Sequence, residues 1–397
     1  MSDACDTDIV IVGAGVAGAA LACALRDSGL TITLLEKSAA PADTARGDHL
    51  QPRTCEILDR WNVLDALFDA GAGRRTAATW HAGDGSVLLH SDVASLDVPH
   101  PYFAYLNHER IVETLRATAI DSGNVRWIAP LRNWWLDEQS DENAVLRAVT
   151  ADGNETTLRA RMLVGADGRA SRVRRLLAFD ASTTSYRRPI GVLFAASSTL
   201  ETPEELHVYL GDSCIVSLIP RTDGGCKIGV PLGPGDVALW RQADDGELRT
   251  RLGELVPAVT FGDLRFADAY PPVQLHARKW TLGNAVLVGD ACHAMHPARS
   301  QGMNIAIRCV DALADIVRSR WSGARVPALL TDYESLVRPG IDALLDENHR
   351  RGLEMDSDST ATIAGLAAGL RAIQHDPDAL RAYAMRAAGY ARNERFE

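Results

Sequence analysis

The chain has 397 residues, 46% apolar and 23% charged, with a net charge of −11 at pH 7. That length exceeds one small core and calls for two domains or one large composite domain. The acidic balance excludes nucleic acid or an anionic membrane as the main partner, and no run of 18 apolar residues argues for membrane insertion.

The start, Met1-Ser2-Asp3-Ala4-Cys5-Asp6, lacks the basic and apolar regions of a secretory signal. The seven cysteines are odd in number, widely spaced and without a C-x-x-C. Both features point to a cytoplasmic protein with reduced thiols. His293 and His296 come nearest to a metal pair but lie inside another motif, so no metal is expected.

Ile9 to Val12 is a short, fully apolar run, as in a strand buried on both faces of a parallel sheet. Gly13, Gly15 and Gly18 follow at G-x-G-x-x-G spacing. The first permits a tight turn, the second lets a pyrophosphate approach the backbone, and the third lets helix and strand pack closely. Val16 to Ser28 reads as a helix that offers N–H groups and a positive dipole end to phosphates. Val16 and Ala17 stand at its start, and Gly29 ends it. Thr31 to Leu35 is a second strand, and Glu36 follows, 18 positions past Gly18. A carboxylate there accepts hydrogen bonds from ribose hydroxyls and repels a 2′-phosphate. Lys37, next in the chain, is counted with the same ligand site.

Pro52 to Trp61 reads as a helix, Trp80 to Tyr105 as short strands, and Arg110 to Ser122 as a helix. Short apolar runs alternate with turns from 125 to 165. The last, Met162 to Val164, leads into Asp167-Gly168. That carboxylate stands where a ligand binds above a parallel sheet, and Asp-Gly is equally a common turn. Residues 185 to 275 are mostly strand-like, with a turn at Asp223-Gly224-Gly225. A further strand, Ala285 to Val288, precedes Gly289-Asp290, a loop from Ala291 to Gln301, and a helix from about Gly302. The rest is helical. Gly71-Ala72-Gly73 and Gly233-Pro234-Gly235 each resemble half a glycine fingerprint, but neither has a third glycine in register. A second dinucleotide fold is therefore not expected.

Glycine fingerprint, Asp167-Gly168 and Gly289-Asp290, in this order, resemble the class A flavoprotein aromatic hydroxylases, the family of para-hydroxybenzoate hydroxylase. The resemblance covers essentially the whole chain. It implies an α/β fold with a Rossmann-like FAD-binding domain (1–72, 99–180 and 278–325). A sheet-rich substrate domain (73–98 and 181–277) is inserted, and a helical region (326–397) closes the chain. Glu36 would bind the AMP ribose and Asp290 the ribityl chain, with Arg46 near the pyrophosphate and either His108 or Arg110 on the FAD. Pro297 would sit beside the isoalloxazine ring. Gly302-Met303-Asn304 would turn backbone N–H groups to the flavin's N1–C2=O end. Tyr333-Glu334 and Arg338-Pro339 match a late helix of the family. Arg299-Ser300-Gln301-Gly302 departs from the family's usual Gly-Gly-Gln-Gly.

The resemblance implies FAD as cofactor, NAD(P)H as a transiently bound reductant and O₂ as co-substrate. A flavin C4a-hydroperoxide would hydroxylate a small aromatic, polycyclic or enolic substrate, in a monomer or homodimer. The chain stops before the thioredoxin-like third domain of the phenol hydroxylase branch. Candidate catalytic residues are Pro297, Arg299, His207 and Tyr209, with Cys214, Ser217, Arg221 and His49 as further substrate contacts. A flavin-dependent reductase, a halogenase (whose Trp-x-Trp-x-Ile-Pro segment is absent) and a non-catalytic FAD scaffold are the alternatives.

Overall fold

The computed structural model describes residues 5–41 and 48–391. One sheet runs in the order Thr281–Leu282, Ala285–Leu287, Glu155–Gly165, Thr7–Val12, Ile32–Leu35, Val125–Ile128. From Ala285–Leu287 to Val125–Ile128 the strands are parallel. Ile9, Val10 and Ile11 have no exposure, as expected of a parallel strand buried on both faces. Leu35, Val12, Gly165 and Leu287 lie in register across four neighbouring strands. The three motifs that follow these strands therefore emerge side by side at one edge, where open α/β sheets bind ligands.

The helix Val16–Leu25 is almost wholly buried between the helices His108–Ile120 and Gly302–Arg320. Its alanines and Gly18 permit that close packing: a Cβ at Gly18 would collide with the Gly13 carbonyl oxygen.

A second sheet has seven strands: Leu264–Tyr270, Ile190–Ala195, Cys226–Pro231, Ile215–Pro220, Leu206–Leu210, Ala77–Ala82 and Val87–Asp92. Residues 77–92 thus complete the sheet built by residues 190–270. Its pairs are antiparallel except that between Leu206–Leu210 and Ala77–Ala82. Two helices, Val237–Gln242 and Asp245–Leu255, interrupt the stretch expected to be strand-like. A reciprocal capping box between Asp244 and Glu247 starts the second, and its D-x-x-E spacing is a signal the periodicity reading passed over.

After Asp290 the chain is mainly helical, with Val326–Asp356, Thr360–Gln374 and Pro377–Ala387 following Gly302–Arg320. The helix Thr360–Gln374 covers the far end of the second sheet, where Ile363 and Leu370 join Leu88, Leu89, Val208 and Leu210 in one apolar cluster. None of the described helices is long and apolar enough to cross a membrane. No disulfide joins the seven cysteines.

Candidate active site

Between the two sheets lies a cavity of about 310 Å³. One part of its wall comes from the edge of the parallel sheet: Gly15, Val16, Ala17, Ala166, Gly168, Arg169, Gly289 and Asp290. Another comes from one face of the second sheet, and the loop and helix start from Ala294 to Met303 complete it.

The first part is shaped for an extended phosphate ligand. Gly13 holds φ at +101°, a conformation L side chains rarely adopt, and a Cβ there would meet the backbone of Ala166. A Cβ at Gly15 would meet nothing within 4 Å, so that glycine leaves open space at the mouth of the helix Val16–Leu25. The Glu36 carboxylate accepts from the Ala14 N–H at 2.7 Å and the Ser38 N–H at 3.1 Å. Gln301 is 1% exposed and lines the cavity, yet neither its amide nitrogen nor its oxygen has a hydrogen-bond partner among the described residues. Such an orphaned amide beside the N-terminus of Gly302–Arg320 fits a polar ligand seated against it. The donor set and the glycine cradle together fit FAD.

Several predicted residues meet at this wall. Gly15, Val16, Ala17, His108, Gly168, Gly289, Asp290, Pro297, Gly302 and Met303 all line the cavity. Gly13 and Gly18 shape the turn beneath it. Asn304 acts differently. Its buried side chain accepts from the Gln51 N–H at 2.8 Å and donates to the His49 carbonyl at 3.1 Å, bracing the helix start against the strand His49–Leu50.

Other predicted residues point elsewhere. The Asp167 carboxylate is taken up by the Ser171 hydroxyl and by the N–H groups of Arg172 and Val173, so it organises the helix Arg172–Leu176. Between His108 and Arg110, only His108 lines the cavity; Arg110 donates to the Ala70 carbonyl at 3.2 Å on the surface. Lys37 is exposed and off the cavity wall. Arg46 lies outside the described residues.

The substrate candidates need the largest correction. Ser217 and Ile219 face the cavity, so Val216 and Leu218 face away, as alternation in a strand requires. Tyr209 pairs with Val216 and His207 with Leu218, which carries both side chains to the face away from the cavity. There the His81 ring stacks on Tyr209 at 4.4 Å, and its Nε2 lies 3.0 Å from the His207 Nδ1. Arg299 donates to Glu347 at 2.8 Å and is not part of the wall, although its neighbours Pro297 and Ser300 are. Cys214 is buried against the Pro231 carbonyl, Arg221 pairs with Asp223, and His49 packs edge-on against Phe103.

Three groups were not assigned to this site from the sequence. Arg116 donates from Nε to the Ala14 carbonyl at 2.7 Å, fixing the fingerprint from the helix His108–Ile120. Its position inside an otherwise ordinary amphipathic helix carries no local signal. His296 lines the cavity, and burial lowers its pKa to about 4; its Nδ1 accepts from the Ala298 N–H at 3.1 Å, which puts the ring proton on Nε2. Lys227 and Asp48, far apart in sequence, form a buried ion pair at the cavity wall. No grouping of His, Cys, Asp and Glu among the described residues could hold a metal ion.

Comparison with known proteins agrees with this geometry. A family model described as an FAD binding domain matches residues 6–348. The chain is 28% identical over 369 residues to the 12-dehydrotetracycline 5-monooxygenase/anhydrotetracycline 6-monooxygenase of Streptomyces rimosus, covering 88% of this chain and 70% of that protein. It is 28% identical over 352 residues to ubiquinone hydroxylase UbiL of Rhodospirillum rubrum, covering 84% and 78%. The p-nitrophenol 4-monooxygenase PnpA of Pseudomonas putida DLL-E4 shares the fold, with a TM-score of 0.81, 18% identity, and coverage of 97% of this chain and 98% of that one. The chain belongs to this FAD-binding family and is an FAD-dependent monooxygenase of the flavoprotein hydroxylase class.

Proposed function

We propose that the protein hydroxylates an electron-rich aromatic or enolic small molecule, with NAD(P)H as reductant and one oxygen atom taken from O₂. The observation that carries this reading is the cavity walled by the dinucleotide-binding end of one sheet and by a mostly apolar face of the other. Relatives named for anhydrotetracycline and for p-nitrophenol support an aromatic substrate, polycyclic or single-ring. A cytoplasmic monomer or homodimer belongs to the same reading.

FAD, when bound, supplies the electron transfer and O₂ activation that no side chain offers. The protein's own groups hold and shield. Glu36 has used two of its acceptor sites on backbone N–H groups, and the rest suit ribose hydroxyls. Asp290 would take the ribityl hydroxyls. The N–H groups of Gly302 and Met303 open the helix Gly302–Arg320, whose positive end would stabilise negative charge on the bound flavin. Pro297 stiffens the loop beside the ring, while Ile190, Val192, Ile219, Met295 and Met355 keep water out.

The test is mass spectrometry under ¹⁸O₂ with phenols, quinolones and polycyclic aromatics that accelerate NAD(P)H oxidation. Product carrying one labelled oxygen is the expected result. A halogenated or reduced product, or binding without turnover, would assign the chain to the halogenase, reductase or scaffold alternatives.

A further inference from the structure

Of the described second-sheet residues that line the cavity, Lys227 is the one Lys, Arg, Asp or Glu. Its neighbours on that wall are Ile190, Val192, Ser217, Ile219, Gly229, Pro231 and Tyr270. Lys227 is 3% exposed and its partner Asp48 is 2% exposed. A buried ion pair contributes little to stability on balance, and apolar residues of like volume often do as well. Its place on a ligand-facing wall therefore calls for a reason other than folding.

The surrounding surface supplies one. Lys227 stands across from Ile219 on one side and Phe194 on the other. One rung along, Gly229 stands between Ser217 and Val192. A Cβ at Gly229 would lie 2.6 Å from the Ser217 hydroxyl oxygen, so that small hydroxyl takes the place of a side chain there and the wall stays low. Glycine in a central strand weakens the strand and marks a site of close approach. A low, mostly apolar wall with one hydroxyl and, two residues along the strand, the Lys227 side chain matches a planar ring system bearing one oxygen anion.

Asp48 explains how the cation persists under burial. One of its carboxylate oxygens meets Lys227, and the other accepts from the His108 N–H at 3.2 Å. Burial pushes the Asp48 carboxyl up and Lys227 pulls it down. The other charged or titratable groups nearby are Arg221, paired with Asp223 at 2.8 Å, Arg265 over the Phe194 ring, His108, and Tyr270 on the same wall.

We propose that Lys227 is the specificity-determining residue of this cavity, binding the ionised oxygen of a planar phenolic or enolic substrate whose body lies over Gly229. The proposal rests on the hydroxylase reading and names its substrate class. The substrate's hydroxyl proton leaves to water on binding, and the retained oxyanion makes the ring electron-rich where oxygen must be delivered.

The test uses FAD-loaded protein and two chromogenic phenols, 4-nitrophenol and the polycyclic alizarin, followed by difference absorbance as pH is varied. In the wild type the bound probe ionises at lower pH than the free probe, because the anion binds on the order of tenfold or more tightly than the neutral form. Lys227→Arg keeps that preference. The double variant Lys227→Met/Asp48→Asn, which leaves no buried charge unpaired, holds FAD but binds both probe forms about equally. Lys227→Gln gives the same loss should the double variant fail to hold FAD. The proposal is overturned if the uncharged variants keep the wild-type preference, if the wild type prefers the neutral form, or if it binds neither probe. If probes bind as anions through Lys227 and none of the substrates is hydroxylated, the hydroxylase reading fails and this assignment stands.

Discussion

Arg116 approaches Glu36 to 3.7 Å, each side chain only about a tenth exposed, at the end of the first two strands of the parallel sheet. The same guanidinium donates to the carbonyls of Ala14 at 2.7 Å and Ala39 at 3.3 Å. One arginine from a later helix thus ties together the glycine turn, the acid and the segment after it.

Arg116→Met should therefore loosen the cofactor without touching it. Losing charge-assisted hydrogen bonds of about 1.5–3 kcal/mol corresponds to a fall in FAD affinity of roughly tenfold or more. Fluorescence titration of the apoprotein with FAD reads this directly. Wild-type affinity in the variant would show that Glu36 and the turn hold their places unaided.

Gly15 and Gly18 should fail in different ways. A side chain at Gly15 meets open space, so Gly15→Val should fold, keep its melting temperature as apoprotein, and lose FAD. At Gly18 any Cβ meets the Gly13 carbonyl oxygen, so Gly18→Val should be destabilised or insoluble with or without FAD. Circular dichroism melts with flavin absorbance separate the two outcomes. Equal behaviour of both variants would refute the distinction.

His207→Gln and Tyr209→Phe should leave turnover with an accepted substrate within about twofold, since neither residue reaches the reacting groups. Their cost should appear in stability, because His207 bonds to His81 and Tyr209 stacks on it. A loss of kcat of several orders in either variant would restore them to the active site.

Stability should depend on pH in a window set by buried histidines. Burial holds His49 neutral, with a pKa lowered to about 3, and His293 and His296 likewise at about 4. Unfolded, each ring titrates near its ordinary value of 6.5. Below that value the unfolded chain takes up protons that the folded one refuses. The stability is complete above about pH 6.5 and falls as pH drops towards about 4, by up to about 1.4 kcal/mol per pH unit per ring. Urea unfolding midpoints at several pH values should show this decline, and His293→Gln should make it shallower. A midpoint unchanged between neutral and mildly acid pH would contradict the buried neutral state.

The cofactor half was legible in the sequence because its signals are local. Ile9 to Val12, the glycine spacing and Glu36 occupy one βαβ unit, and the strand before Gly289-Asp290 is equally compact. The substrate wall was not, for two physical reasons. Which face of a strand meets the cavity depends on its neighbours, so His207 and Tyr209 could not be told from Ser217 and Ile219 by type alone. Lys227 and Asp48 are brought together only where the second sheet packs against the segment leading into His49–Leu50. Asp167 failed otherwise: the residue is where the motif requires, but its carboxylate serves the adjoining helix.

The tail of the chain is stitched onto its beginning. The Arg53 N–H donates to the Ala388 carbonyl at 3.0 Å, Arg308 to the Gly389 carbonyl at 3.2 Å, and the Tyr390 hydroxyl to Glu56 at 2.7 Å. Arg308 lies in the helix that begins beside Gln301, and Arg53 follows the segment that Asn304 braces. On the ribosome, where chains emerge at roughly 5–20 residues per second, the flavin pocket's first strand is made long before the residues that lock its last helix. The glycine turn must wait, half-built, until residues 388–390 have been made. A nick or truncation near Ala388 would then register as loss of yellow colour, far from any residue that meets the flavin.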